Sequence, residues 1–220
     1  MKVIKPLGRG RNPDQLRISL CDLDHEIARV LAEHFHDVDG VEVLVGDLLD
    51  LDCDALVSPA NSFGDMSGGI DQRIDRFHEG SAQRALQGRI AAKYHGELPV
   101  GVATVIEMGT RRFPYLVAAP TMRVPGRVSG TTNAYLAMRA VFTAILDHNA
   151  SEARRIRSVA VPGLCTGVGG MAAAEAAPQM RAAYDMVVLG GWRRIEHPAQ
   201  APFALGSGPA PWQWGSGGGR

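Results

Sequence analysis

Apolar and polar positions alternate along this chain in two rhythms, and the places where the rhythm changes predict its elements. Arg17-Ile18-Ser19-Leu20-Cys21 reads as a strand. Asp22-Leu23-Asp24 follows it, where a carboxylate can accept from the free N–H groups of a new helix. That helix carries Ile27, Val30, Leu31 and Phe35 at helical spacing, which makes one apolar face. Val41 to Val45 and Asp54 to Ser58 read as further strands. Two helices follow, one starting at Asp71 and one covering Ala82 to Tyr94, before strands recur at Gly101 to Met108 and Tyr115 to Ala119. A longer helix fits Asn133 to Asp147, with Leu136, Ala140, Phe142, Ile145 and Leu146 available for packing. Ser158 to Pro162 is a short, continuously apolar strand. A last helix fits Ala172 to Leu189, with Pro178 inside it to kink it or delay its start.

Strands interleaved with helices predict an α/β fold whose sheet is covered on both faces. Residues 1–15 read as an irregular leader, 16–195 as one domain, and 196–220 as a flexible tail rich in Pro, Gly and Ala that holds Trp212 and Trp214.

Composition narrows the function. A chain of 220 residues with 45% apolar side chains suits one large domain with a sizeable core. The 23 basic and 23 acidic side chains cancel and leave no basic stripe, which argues against nucleic-acid binding. The pairs Arg111-Arg112, Arg154-Arg155 and Arg193-Arg194 read as solvated surface. No apolar run approaches the roughly 18 to 20 residues that span a bilayer. Met1 to Pro6 has no apolar signal-peptide core, so the expected location is the cytoplasm and no membrane partner is expected. Cys21, Cys53 and Cys165 are far apart and lack ligand spacing, so neither a disulfide framework nor a metal site is expected. Cys165 reads as a packing residue, and His78 and His95 as surface polar groups.

The candidate chemistry lies in two glycine-rich turns. Ser58-Pro59-Ala60-Asn61-Ser62-Phe63-Gly64-Asp65-Met66-Ser67-Gly68-Gly69-Ile70-Asp71 leaves a strand and enters a helix. Gly68-Gly69 removes two Cβ atoms where a ligand could approach the backbone. The N–H groups of Gly69, Ile70 and Asp71 lie where a helix N-terminus attracts an anion. Pro162-Gly163-Leu164-Cys165-Thr166-Gly167-Val168-Gly169-Gly170-Met171 repeats the arrangement. Two such turns at one end of a sheet can clamp a diphosphate.

These residues carry a family resemblance. Val45-Gly46-Asp47-Leu48, then Asp54 to Asn61, then Gly68-Gly69-Ile70-Asp71 resembles the opening half of a macro domain. The spacing of Asn61, Gly68-Gly69, Ile70 and Asp71 is similar to the signature of MacroD-type ADP-ribosyl hydrolases. Val159 to Gly170 resembles the family's second phosphate loop, so the likeness runs from about residue 41 to 190. Ser58 to Gly64 and Ala119 to Pro125 resemble a bacterial macro-domain group. The resemblance implies a three-layer α/β/α sandwich with a central mixed sheet, to which the strand and helix from Arg17 are an extra N-terminal unit. It implies binding of ADP-ribose, or of an ADP-ribosylated protein, without a cofactor or metal, and hydrolysis of ADP-ribosyl esters. A non-catalytic reader of ADP-ribose, or a macro-like scaffold, is the alternative.

Carried over by residue, the resemblance gives Asp47 and the backbone of Leu48 to the adenine. The backbones of Gly68, Gly69 and Ile70, with those of Thr166, Gly167, Val168, Gly169 and Gly170, go to the phosphates. It gives Asn61 to the distal ribose and, with Asp71, to the catalytic pair, with an Asx turn as the other reading. It makes Asp71 the catalytic carboxylate, with a helix N-terminal acid as the other reading. Gly169 stands where the family has an aromatic over the distal ribose, a space that Met171 or Phe63 would have to fill. Leu116 to Pro120 lacks the family's histidine before its proline. The family's last strand, with its adenine-stacking aromatic, has no counterpart near Met186 to Leu189, and the strand from Arg17 to Cys21 is the candidate for its place.

Overall fold

The computed structural model describes residues 1–8 and 15–197. Its strands are β1 (Lys2–Lys5), β2 (Arg17–Asp22), β3 (Val41–Val45), β4 (Ala55–Ser58), β5 (Thr104–Glu107), β6 (Tyr115–Ala118) and β7 (Ser158–Val161). Its helices are α1 (His25–His34), α2 (Gly69–Phe77), α3 (Ser81–Tyr94), α4 (Asn133–Ser151) and α5 (Ala173–Val187). The strands form one mixed sheet in the order β1-β3-β2-β7-β4-β6-β5. The five from β3 to β6 in that order run parallel, and β1 and β5 close the edges antiparallel.

Period-two alternation divides the strand side chains between two cores. Ile18, Leu20, Val43, Val57, Val159 and Val161 pack with α1, α4 and α5. Leu44, Leu56, Leu116 and Ala160 pack on the opposite face with Ile74 of α2 and Leu86 and Ile90 of α3. The rings of Phe35, Tyr184 and Phe142 join the three helices of the first core, each neighbouring pair 6.0 Å apart and edge-on. Asp24 caps α1 by accepting from the Glu26 N–H at 2.8 Å.

The leader is not irregular throughout. Lys2–Lys5 forms β1, and Lys5 Nζ donates to the carbonyls of Val38 and Val41 at 2.7 and 2.5 Å. Four residues bounded by lysines show no apolar run, which is how edge strands protect themselves from pairing with other chains. The strand–helix unit that follows is built into the interior, with β2 hydrogen-bonded to both β3 and β7. Helix α2 begins at Gly69 rather than Asp71, and α5 runs through Pro178, which has no N–H to offer the Ala174 carbonyl.

His78, expected at the surface, is 3% exposed, and neither ring nitrogen has a partner among the described residues. The chain reverses after α2 through Glu79 and Gly80, both at positive φ. The His78 ring is left edge-on to Phe77 at 5.0 Å, and burial lowers its pKa. The tail lies outside the described residues from residue 198 onward, as do Trp212 and Trp214. Among the described residues no helix is long and apolar enough to cross a membrane.

The interior position of β2 has a measurable cost. Leu20→Ala removes a fully buried side chain and should lower unfolding free energy by about 3 kcal/mol. Val3→Ala on the edge strand, where Val3 is exposed, should cost under about 1 kcal/mol. Denaturant titration of the two variants checks this, and equal small losses would mean that β2 is peripheral.

Candidate functional site

Parallel pairing brings the C-terminal ends of β2, β3, β4, β6 and β7 to one edge of the sheet, and a cleft of about 740 Å³ opens there. It runs from Asp22 and Gly46 at one end to Asn61 and Met122 at the other, with the two glycine loops between them. Its size is that of a small-molecule site.

The loop after β4 is shaped by Asn61. Its Oδ1 accepts from the N–H groups of Phe63 and Asp65 at 3.0 and 3.3 Å, and its Nδ2 donates to the Asp65 carbonyl at 3.1 Å. The amide thus builds the turn and keeps one N–H for the cleft it lines. Gln83 Oε1 then accepts from Met66 N at 2.8 Å, tying the loop to α3. Gly68 occupies the N-cap of α2 without a side-chain cap, and Gly69 takes φ +57°. The N–H groups of Gly69, Ile70 and Asp71 therefore have no protein acceptor among the described residues. A Cβ on Gly68 or Gly69 would meet nothing within 4 Å. The space beside these donors is open, and the helix dipole adds positive potential to it.

The loop after β7 closes on itself. Thr166 Oγ1 donates to the Gly163 carbonyl at 2.9 Å, Gly170 N to Gly167 O at 2.9 Å, and Met171 N to Cys165 O at 3.0 Å. Its glycines do different jobs. Gly167 borders open space as Gly68 and Gly69 do. Gly163 is packed, since a Cβ would lie 2.8 Å from both Asp22 and Ile27. At Gly169 a Cβ would lie 2.5 Å from the Cys165 carbonyl and 2.8 Å from Val128, so no ring fits. Gly170 does not line the cleft: its N–H is already donated, and a Cβ there would meet the Arg127 guanidinium at 3.3 Å. Met171 is buried in the core and Phe63 turns outward beneath Arg123, so neither fills the space of a ring. Among the described residues no aromatic side chain lines the cleft.

Asp71 sits in the first turn of α2, facing the cleft. Alternation along β4 puts Ser58 on the α2 side of the sheet with Leu56, and the Ser58 hydroxyl donates to Asp71 Oδ1 at 2.6 Å. Burial pushes the Asp71 carboxyl up to about 7, against the opposing pull of the Ser58 hydrogen bond, and the nearby Asp65 charge adds to the rise. A carboxyl poised near neutrality can both take and give a proton. Cys165 also lines the cleft, but burial pushes its thiol up to about 12, which leaves no thiolate at neutral pH.

The β3 end differs from the sequence reading. Leu48 lines the cleft, but Asp47 does not. Asp47 Oδ1 accepts from Leu49 N at 3.0 Å, and Oδ2 is ion-paired with Arg73 of α2, which lines the cleft instead. The β2–α1 corner adds Asp22, Leu23 and Ile27, which sequence reasoning did not assign to the site. Asp22 accepts from the N–H groups of Asp24 and Gly163 at 2.9 and 3.1 Å, and burial raises its pKa. Leu23 is 64% exposed at the mouth. Their signal, an Asp-Leu-Asp at a strand exit, was present but had meaning only once β2 was placed in the parallel set. On the far side Met122 lines the cleft, while Arg123 turns away to Glu97 at 2.7 Å.

The Macro domain family model matches residues 57–180. An uncharacterised protein of Aeropyrum pernix is 34% identical over 152 residues, 69% of this chain and 74% of that protein. Among solved structures, the macrodomain of Mycobacterium tuberculosis DarG is similar at TM-score 0.55 and 24% identity, over 65% of this chain and 88% of that one. A mutant Oceanobacillus iheyensis macrodomain solved with ADPR is similar at TM-score 0.53 and 20% identity, over 64% and 74%.

The division among the glycines is testable by stability alone. Gly68→Ala enters open space at an ordinary φ and should change unfolding free energy by less than about 1 kcal/mol. Gly169→Ala forces its Cβ against backbone and should cost about 2 kcal/mol or more. Thermal or denaturant unfolding distinguishes them, and equal effects would contradict the packing described for Gly169.

Proposed function

The chain belongs to the macro domain family, and we propose that its cleft binds ADP-ribose and hydrolyses ADP-ribosyl esters. The observation that carries the binding is the pair of glycine loops facing one cleft with open space and unused N–H donors. In this reading the N–H groups of Gly69, Ile70 and Asp71 hold one side of the diphosphate, and those of Gly167, Val168 and Gly169 the other. The base lies toward Leu48, Leu23 and Ile27, on aliphatic surface rather than an aromatic ring. Asp47 serves it only by sharing its carboxylate with Arg73. The distal ribose lies toward Asn61, whose remaining N–H faces it.

The hydrolytic step falls to Asp71. Its ionised carboxylate takes a proton from a water whose oxygen bonds to C1″ of the distal ribose. The acyl oxygen leaves with the electrons of the broken C1″–O bond. Positive charge developing on the ribose is stabilised by the adjacent diphosphate, which the loop donors fix in place. No part of this step needs a ring over the ribose, but without one the water is less confined. That observation favours a second reading, a module that binds ADP-ribose without turning it over.

Calorimetry with ADP-ribose tests the binding; Gly69→Val should abolish it through strain at φ +57° and a branched side chain in the diphosphate path, and Gly68→Val, at an ordinary φ beside open space, should weaken it by obstruction alone. Absence of binding to the unmodified chain at millimolar ligand would overturn the assignment. Release of ADP-ribose from a glutamate-linked ADP-ribosyl protein tests the chemistry. Asp71→Asn should slow release by roughly 10²- to 10⁴-fold while retaining affinity. In the unmodified protein the release rate should rise with pH through about 7, as the carboxylate becomes ionised. Tight binding with no release at any pH would leave the reader.

A further inference from the structure

Asp71 has one neighbour that none of the chemistry above uses. Ser58 is fully buried at the end of β4, and its hydroxyl donates to Asp71 Oδ1 at 2.6 Å. No other acceptor competes for that hydroxyl among the described residues, and Oδ2 of Asp71 accepts from no protein group there. The carboxyl stands in the first turn of α2, beside N–H groups that have no protein acceptor among the described residues and belong to residues lining the cleft. A charge placed there acts directly on any anion those donors hold.

We infer that Ser58 is the positioning residue for Asp71: by occupying Oδ1 it turns Oδ2 to the cleft, and it sets the pH at which the first loop weakens its hold on a diphosphate. The second half rests on the ADP-ribose reading above; the first does not. The physical sense is fixed. A donor on Oδ1 stabilises the ionised carboxylate and so favours loss of the proton at lower pH. An ionised Asp71 repels a diphosphate held at the same helix end, and a protonated one does not. Affinity therefore falls as pH rises through the Asp71 midpoint, while the base needed for hydrolysis appears over the same interval. Binding and turnover are opposed through one proton.

The other groups facing Asp71 do not confuse this assignment. From the first loop Asp65 faces it and favours the protonated form. On α2 itself Arg73 is engaged with Asp47. From the second loop the Cys165 thiol stays neutral across this range, held at about 12. Ser58 is the one hydrogen-bond donor from a side chain.

The test is a carbon-detected NMR titration of the Asp71 carboxyl in the full chain, identified by its loss in Asp71→Asn, with ADP-ribose calorimetry on either side of pH 7. Ser58→Ala should move the Asp71 midpoint upward by about one pH unit. The affinity of the unmodified chain should drop roughly three- to tenfold from the acid to the alkaline side of that midpoint. In Ser58→Ala the drop should follow the shifted midpoint, and in Asp71→Asn it should vanish. Ser58→Cys keeps the site filled with a weaker donor, and should shift the midpoint in the same direction if the alanine variant does not fold. A midpoint that stays or moves down on loss of the hydroxyl would overturn the role of Ser58. The titration decides that even if ADP-ribose never binds, an outcome that would instead refute the proposed function. Binding that keeps the same pH dependence in Asp71→Asn would overturn the link to the diphosphate.

Discussion

Parallel pairing is the constraint on which the rest of this molecule depends. A parallel strand cannot return through a tight turn, so longer connections must join the five central strands, and the helices they carry, with α5 after the last strand, cover both faces. All five strands then end at the same edge, where the chain must leave the sheet before it can enter a helix. The cleft is the space among those exits. Its two glycine loops are exits of neighbouring strands, β4 and β7, and its N-terminal lip is the exit of β2.

Within that frame, the site is made as much by what is withheld as by what is supplied. Gly68 withholds a side-chain cap from α2, so the donors of its first turn remain available. Gly68, Gly69 and Gly167 withhold Cβ atoms and keep the approach to those donors clear. Gly163 and Gly169 look identical in sequence but withhold Cβ atoms for packing, beneath Asp22 and against the Cys165 carbonyl. The second role explains the missing ring, because a side chain at Gly169 would collide with its own loop. Into this donor-rich corner the fold inserts one acid, Asp71. Burial holds it near neutrality, and a serine one strand-end away opposes that rise.

Most of the secondary structure could be read along the chain, because helices and strands with one buried face must repeat their apolar positions. The paired glycine loops could also be read, since strand, glycine turn and helix follow each other directly. β1 could not be, because four residues bounded by lysines have no periodicity to show and gain their identity from pairing with β3. The burial of His78 is not legible in its helix, because it is set by how the chain turns after α2 beside Phe77. Asn61, Asp47 and Asp71 are visible as polar residues in the right order. Which of their atoms are free depends on Phe63, Asp65, Leu49, Arg73 and Ser58, and the Asp47–Arg73 and Asp71–Ser58 contacts cross between elements.

The sequence by itself determined the α/β class, the two glycine-rich loops and the family likeness, since each is written in local spacing along a continuous segment. Tertiary structure alone decided that β2 lies inside the sheet and lends Asp22, Leu23 and Ile27 to the cleft. It also decided which glycines border open space and which pack against their own loop, and that burial pushes the Asp71 carboxyl up to about 7. The physical reason is common to all three. Hydrogen bonding, steric room and desolvation at a position are set by groups that arrive there from other parts of the chain.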